Sequence, residues 1–372
     1  MRILFALPGF HRYERGAEIA LIALAKELSL TGDMVTLIGS GEPRPDVPYR
    51  FIKAASIRRE KFEHFPKIPV LRGETSYEEA TFMPGLWRKY NPTEYDVTVT
   101  CSYPFTNWLL RSKSAKGLRP AHVFVTQNGD WPAQSQDAEY ARFGCEGLAC
   151  TNPDYFAKNH KLWYSALIPN GIDVEQFFPG PGNREKFGLP ADRKVILMVS
   201  ALIPSKRVTE GIAAVARIEN AHLVVAGDGP LRGTVDQLAA KLLPGRFSRV
   251  SVKSYEMPIL YRSADAFLHL SMEESFGNVF VEALACGLPI VANDSQRVRW
   301  IVGDLEFLTD TSDSDSIATA LNAAMQSSEE SREVRVDRAA TFAWSSVARQ
   351  YRTFFQEVLA NLAKSQESMV RG

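Results

Sequence analysis

The sequence predicts an α/β chain of two doubly wound domains, on three observations. Short apolar strands alternate with helical patterns almost throughout, the pattern of parallel sheets covered on both faces. The alternation runs twice, interrupted by the Pro/Gly-rich stretch "FFPGPGNREKFGLPADR" (177–193). At 372 residues the chain also exceeds what one ordinary core supports, and two domains of about 150–200 residues fit better.

The first cycle opens with the strand "RILFAL", whose apolar run is too short for a secretory h-region and ends at Pro8-Gly9. In "AEIALIALAKELSLTG", Ile19, Ile22, Ala23 and Lys26 recur at helical spacing and Gly32 closes the helix. "MVTLIGSG" is the next strand. Residues 42–90, rich in Pro, Arg and Lys, read as irregular. "YDVTVTCS", "AHVFVTQNGD", "GLACTNPDYFAKNH" and "SALIPNGID" continue the series. In the second cycle "KVILMVSAL", "AHLVVAGDGP", "RVSVKS", "AFLHLS" and "PIVAND" are strands. "KRVTEGIAAVARI", "LRGTVDQLAAKLL", "EMPILYRSA" and "NVFVEALACG" are the helices between them, and "FAWSSVARQYRTFFQEVLANLAKS" is a last long helix.

Composition removes several classes of function. Hydrophobic residues make up 45% and charged residues 23%, which a folded globular chain shows and a disordered one does not. Formal net charge is zero, so nucleic acid is not an expected partner. The four cysteines (Cys101, Cys145, Cys150, Cys286) have no CxxC spacing, which argues against zinc and disulfide scaffolds and for reduced cytoplasmic thiols. No window reaches the eighteen or so apolar residues of a membrane span.

Ligands of open α/β sheets sit at the carboxyl ends of strands, so two such sheets predict a site in the cleft between them. The most informative stretch is "EESFGNVFVEALACG" (273–287), which keeps Glu274 and Glu282 among small and apolar residues. Ser275, Phe276 and Gly277 read as a turn, and a helix begins near Asn278. Glu282 then lies one turn inside that helix, where a carboxylate is costly unless hydrogen-bonded. Two adjacent hydroxyls of a ribose would satisfy it; a neighbouring basic residue is the simpler alternative. The amides of Phe276, Gly277 and Asn278 at a helix N-terminus suit a diphosphate or a polarised sugar oxygen.

These residues do not stand alone. "EESFGNVFVEALACGLPIVAND" resembles the E-x7-E signature of family 4 retaining glycosyltransferases of the GT-B architecture. "LIPNGIDVEQF", "HLVVAGDGPL", "MPILYRSADAFLHLS" and "FAWSSVARQYRTFF" resemble further landmarks of that family, in order and over nearly the whole chain. The resemblance implies an acceptor-binding Rossmann-like domain at 1–172, completed by 346–366, and a nucleotide-sugar-binding domain at 173–345. The final helix crosses back to the first domain. It further implies Glu274 on the donor sugar, Glu282 on the ribose, and cations in the loop "SALIPSKRV" (200–208) on the leaving diphosphate. Lys206 matches the family's Lys. Ala201 stands where the family has Arg, and Arg207 is expected to supply some of that charge; a solvated helix start is the plainer reading.

"RGAEIALIAL" (15–24) resembles the family's Gly-rich loop, in which Gly16 would admit donor phosphates; a plain loop glycine is the alternative. Where many members carry a His, this chain has "QNGDW". Gln127, Asn128 and Asp130 are the residues there expected to meet sugar or acceptor, and Trp131 either stacks on a sugar or packs inside. "AGDGPLRG" (226–233) does not match GxGxxG. The DxD of "DSDS" (313–316) reads as a helix cap, so neither a metal nor a cofactor is expected, the nucleotide-sugar being a substrate.

The expected reaction is metal-independent, retaining transfer of a sugar from a nucleotide diphosphate to a hydroxyl on a glycan, lipid-linked or small-molecule acceptor. An epimerase or hydrolase of the same fold, or a silent nucleotide-sugar-binding protein, are the rivals. Residues 50–72, with seven basic and two acidic side chains, read as a solvated loop or as a peripheral contact with an anionic membrane. A cytoplasmic site, or the inner face of that membrane, is the expected location.

Overall fold

The computed structural model describes residues 1–112, 114, 119–129, 131–137 and 140–371, the side chains of 365–371 excepted. By Cα proximity the chain forms two units, Met1–Gly171 with Trp344–Gly372, and Ile172–Ala343.

In the first unit the apolar runs form seven strands: β1 (Arg2–Ala6), β2 (Met34–Gly39), β3 (Arg50–Lys53), β4 (Val97–Thr100), β5 (Ala121–Val125), β6 (Gly147–Cys150) and β7 (Ser165–Leu167). All pair in parallel, in the order β3-β2-β1-β4-β5-β6-β7, with Ile3 opposite Val35 on one side and Val97 on the other. Central strands are buried on both faces, which is why they read as unbroken Val/Ile/Leu runs rather than alternating ones. Helices Gly16–Leu30 and Trp344–Arg371 cover one face; Val347, Tyr351, Phe354 and Phe355 of the latter join Phe5, Leu24 and Val99 in one core. Full burial of each such side chain contributes about 1.5–3 kcal/mol.

Two sequence readings are corrected here. The region 42–90 is not irregular: it holds β3 and a helix at Glu74–Lys89. That helix buries Glu78 and Glu79 beside Phe82 and Leu86 and carries Pro84 inside it, so its buried face does not look apolar in sequence. The helix Gly16–Leu30 buries Leu21, Leu24, Ala25 and Leu28, whereas Ile19 is 46% exposed. Ala, Ile and Leu surround that helix on all sides, so periodicity alone picks the wrong stripe.

The second unit carries β8 (Lys194–Val199), β9 (Ala221–Ala226), β10 (Phe247–Val250), β11 (Ala266–His269), β12 (Ile290–Asn293) and β13 (Phe307–Thr309). These too are parallel, ordered β10-β9-β8-β11-β12-β13. Chain order reverses between β8 and β11, and the carboxyl ends of the strands at such a reversal are where doubly wound sheets hold ligands. Asp313 accepts from Asp315 N (3.3 Å) and Ser316 N (2.9 Å), capping the helix Ser314–Ala324. No helix among the described residues is long and apolar enough to cross a membrane.

Candidate functional site

The switch point of the second sheet gathers the polar side chains. From β8 the chain enters a short 3₁₀ turn, Pro204–Lys206, which ends at Lys206. From β11 it runs past His269, the last strand residue, to Glu274. Lys206 Nζ donates to Glu274 Oε1, and His269 Nε2 lies 3.0 Å from the same oxygen. Because the carboxylate can only accept, Nε2 carries the proton of that hydrogen bond. Burial would raise the Glu274 carboxyl, but the His269 hydrogen bond and charge, followed by those of Lys206, hold it down at about 2. Arg297, from the helix Gln296–Val302 that follows β12, donates through Nη1 to the Glu274 carbonyl oxygen. Glu274 is thus gripped at its side chain and at its backbone.

Gly277 sits at φ 95° and hands the chain into the helix Asn278–Ala285. That backbone region strongly favours glycine. The side chain of Phe276 is 2% exposed and packs edge-on to Trp300, leaving only its backbone for the turn. Ser275 and Asn278 are half-buried on either side. One turn into the helix, Glu282 accepts from the Tyr261 hydroxyl on Oε2 at 2.8 Å. Burial pushes its carboxyl up, against the Tyr261 hydrogen bond. The partner of Glu282 is therefore a phenol, not the basic residue considered above.

Arg207 is engaged by its own neighbours. It adopts φ 54°, and its guanidinium donates to Thr311 Oγ1 (3.0 Å), Thr311 O (2.7 Å) and Glu210 Oε1 (3.2 Å). It braces the Lys206 turn against the chain leaving β13.

The remaining candidates belong to the first unit. Gly16 begins the helix Gly16–Leu30, and a Cβ there would meet no atom within 4 Å. The close approach is at Gly9 instead, where a Cβ would fall 1.9 Å from Glu18 Oε1. Gln127 and Asn170 exchange amide hydrogen bonds beyond β5 and β7, one of them at 3.1 Å. Asn128 is exposed, with Nδ2 3.7 Å from Cys101 Sγ. Asp130 lies outside the described residues. Trp131 is 42% exposed, its ring 4.8 Å from that of Tyr140.

Sequence reading missed His269, Tyr261, Arg297 and Asn170. His269 ends an otherwise apolar strand five residues before Glu274, a signal that was available. Tyr261, Arg297 and Asn170 arrive from separate elements and have no local mark.

Residues 181–341 match the family described as "Glycosyl transferases group 1". The lipopolysaccharide core biosynthesis glycosyltransferase LpsE of Rhizobium meliloti is 28% identical over 205 residues, 53% of this chain and 58% of that protein. The D-inositol 3-phosphate glycosyltransferase of Corynebacterium glutamicum is 29% identical over 294 residues, 68% of this chain and 70% of that one. The chain spans little more than half the length of LpsE and of its relative LpsD, 58% and 56%. Among solved structures, sucrose-phosphate synthase from Thermosynechococcus elongatus superposes with a TM-score of 0.74 at 21% identity, covering 97% of this chain and all of that one. HepE of Anabaena, solved with UDP and glucose, gives 0.69 at 18% identity, covering 96% and 100%. The shared fold is of the GT-B class. The family match thus falls on residues 181–341, which lie within the second unit, Ile172–Ala343.

Proposed function

We propose that this protein is a retaining glycosyltransferase that moves a sugar from a nucleotide diphosphate donor to an acceptor hydroxyl without a metal ion. The observation that carries the reading is the set of Lys206, His269 and Glu274 at the β8/β11 switch point, with Glu282 one turn into the adjoining helix. Lys206 would meet the leaving diphosphate, Glu274 the donor sugar and Glu282 the ribose hydroxyls. In the step itself, the bond from the anomeric carbon to the diphosphate oxygen breaks as the acceptor oxygen bonds to that carbon from the same face. The acceptor proton passes to the departing phosphate oxygen, so no separate protein base is needed. What the protein supplies is charge stabilisation fixed in advance of the reaction.

HepE was solved with UDP and with UDP-glucose, which makes a uridine donor the first to test. The acceptor is a glycan, a lipid-linked sugar or a small molecule. Residues 50–72 support a peripheral contact with an anionic membrane: Ile57, Phe65 and Ile68 are each about half exposed, at 51%, 49% and 47%, among exposed Arg58, Lys61 and Lys67.

One observation favours a second reading. The charge of Lys206 is already met by Glu274, and Ala201 adds none, as a silent nucleotide-sugar-binding protein would tolerate. Thermal-shift screening of uridine, guanosine and adenosine diphosphates and their sugars, then donor turnover with and without acceptors, decides between them. Transfer supports the glycosyltransferase; turnover of donor alone supports a hydrolase or epimerase; binding without turnover supports the silent protein. A chain that binds none of these nucleotides overturns all three.

A further inference from the structure

We infer that His269 is a positioning residue: it holds the Glu274 carboxylate when the leaving diphosphate draws Lys206 away from it. This deepens the reading above and rests on it. Among the described residues, Lys206 and His269 are the donors to that carboxylate, and both bond to Oε1. The Lys206–Glu274 pair sums to zero formal charge. A nucleoside diphosphate carries about two to three negative charges near neutral pH, its outer phosphate titrating at about 6 as other phosphate monoesters do. The ammonium that meets such a ligand cannot also neutralise Glu274 in full. The side chain of Glu274 is 20% exposed, and a carboxylate left there without a donor is costly.

The two donors differ in freedom. Lys206 ends the turn Pro204–Lys206, and its flexible stem lets the ammonium swing from a carboxylate to a phosphate. The imidazole of His269 cannot follow. It ends β11 with 3% of its surface exposed, and Phe267 and Phe280 pack against it, with ring centroids 6.0 Å and 4.8 Å away. One donor can swing and the other is fixed, yet both serve the same oxygen. When Lys206 leaves, His269 keeps the carboxylate hydrogen-bonded and in place for the donor sugar. The lysine charge that Glu274 masks in the ligand-free chain is thereby released at lower cost.

The test is calorimetric titration of the purified full chain with UDP; where the screen above selects another base, its diphosphate replaces UDP. Wild type is compared with His269→Ala, His269→Gln, Glu274→Gln and the double variant His269→Ala with Glu274→Gln. His269→Ala is expected to lose about tenfold in UDP affinity, because nothing then holds the carboxylate that Lys206 must leave. His269→Gln offers an amide N–H near the position of Nε2 and should stay within about threefold of wild type. Glu274→Gln should bind UDP at least as tightly as wild type, since Lys206 then has no charge to leave. It should also restore His269→Ala to within about threefold of wild type, a coupling that a purely structural histidine would not show. Wild-type affinity in His269→Ala, a Gln variant as weak as the Ala variant, or a double variant as weak as His269→Ala would each overturn the assignment. So would a Glu274→Gln chain that binds UDP about tenfold more weakly, and that result decides alone if His269→Ala does not fold. If wild type itself binds no nucleotide of the screen, the functional reading falls and takes this assignment with it.

Discussion

Two carboxylates eight residues apart, Glu274 and Glu282, are shifted in opposite directions by their surroundings. At Glu274 burial is outweighed by His269 and then Lys206, and the carboxyl titrates at about 2 against an ordinary 4.5. A depressed carboxyl stabilises the fold fully above its unfolded value and loses that contribution as pH falls through the folded one. The window is thus pH 4.5 down to about 2, and the contribution is about 3 kcal/mol. Denaturant unfolding of wild type and Glu274→Gln should differ most at neutral pH and converge towards pH 2. A gap that stayed constant across that window would remove the charge-based account. Glu282 runs the other way. Burial raises its carboxyl, so its ionised form opposes folding, and stability falls as pH rises past the ordinary carboxylate range. Glu282→Gln keeps an acceptor for the Tyr261 hydroxyl. The ligand-free variant should therefore melt no lower than wild type at pH 7–8, yet bind nucleoside diphosphate about 1–3 kcal/mol more weakly. Lower stability with unchanged affinity would make Glu282 a structural residue.

At the scale of elements, the helix Asn278–Ala285 depends on how the chain enters it. Gly277 holds φ 95°, and a Cβ there would come 2.8 Å from Phe280 Cδ2. Gly277→Ala should lose about 1–2 kcal/mol from the left-handed backbone alone, measurable as a lower denaturation midpoint, and should weaken nucleotide binding because the turn amides move. Normal stability and affinity together would show the turn to be unstrained by a methyl. The same helix shows what sequence reading can reach. Its Glu282 was conspicuous because apolar residues surround it, and strands such as β9 were legible because burial on both faces leaves only apolar side chains. Glu74–Lys89 was illegible for the complementary reason: two buried glutamates, satisfied by groups such as Tyr13 and Thr106, erase the apolar stripe. The Thr311 and Glu210 partners of Arg207 were not legible, because spacing places a charge in a loop without saying where its side chain turns. Tyr261 meets the Glu282 carboxylate and Arg297 the Glu274 carbonyl from separate elements, whereas His269 reaches Glu274 from only five residues upstream.

For the whole molecule, the proposed chemistry places all positive charge in covalent parts of the protein. Asp313 of the DxD pattern is engaged in capping its helix, and Lys206 stands beside Glu274. Transfer should therefore survive exhaustive EDTA treatment, and added magnesium or manganese should change its rate little. Abolition by chelation with rescue by manganese would overturn the cationic cradle. Sequence reading reached the two doubly wound sheets because each strand is marked locally. Which residues converge at the β8/β11 edge is set by crossovers between distant segments, and no local pattern records that.

The helix Trp344–Arg371 carries one more consequence, concerning the order in which a ribosome delivers the chain. Its Val347, Tyr351, Phe354, Phe355 and Val358 complete the core begun by β1, β4 and β5, and Gly147 has no side chain because Val358 Cγ2 would lie 2.6 Å from a Cβ. The first sheet is thus translated with a furrow along one face that its own neighbouring sequence does not fill. The whole of Ile172–Ala343 emerges before the filling arrives. The unit that starts first finishes last, and an interrupted nascent chain carries an open apolar face, the kind of surface that chaperones hold and aggregates recruit.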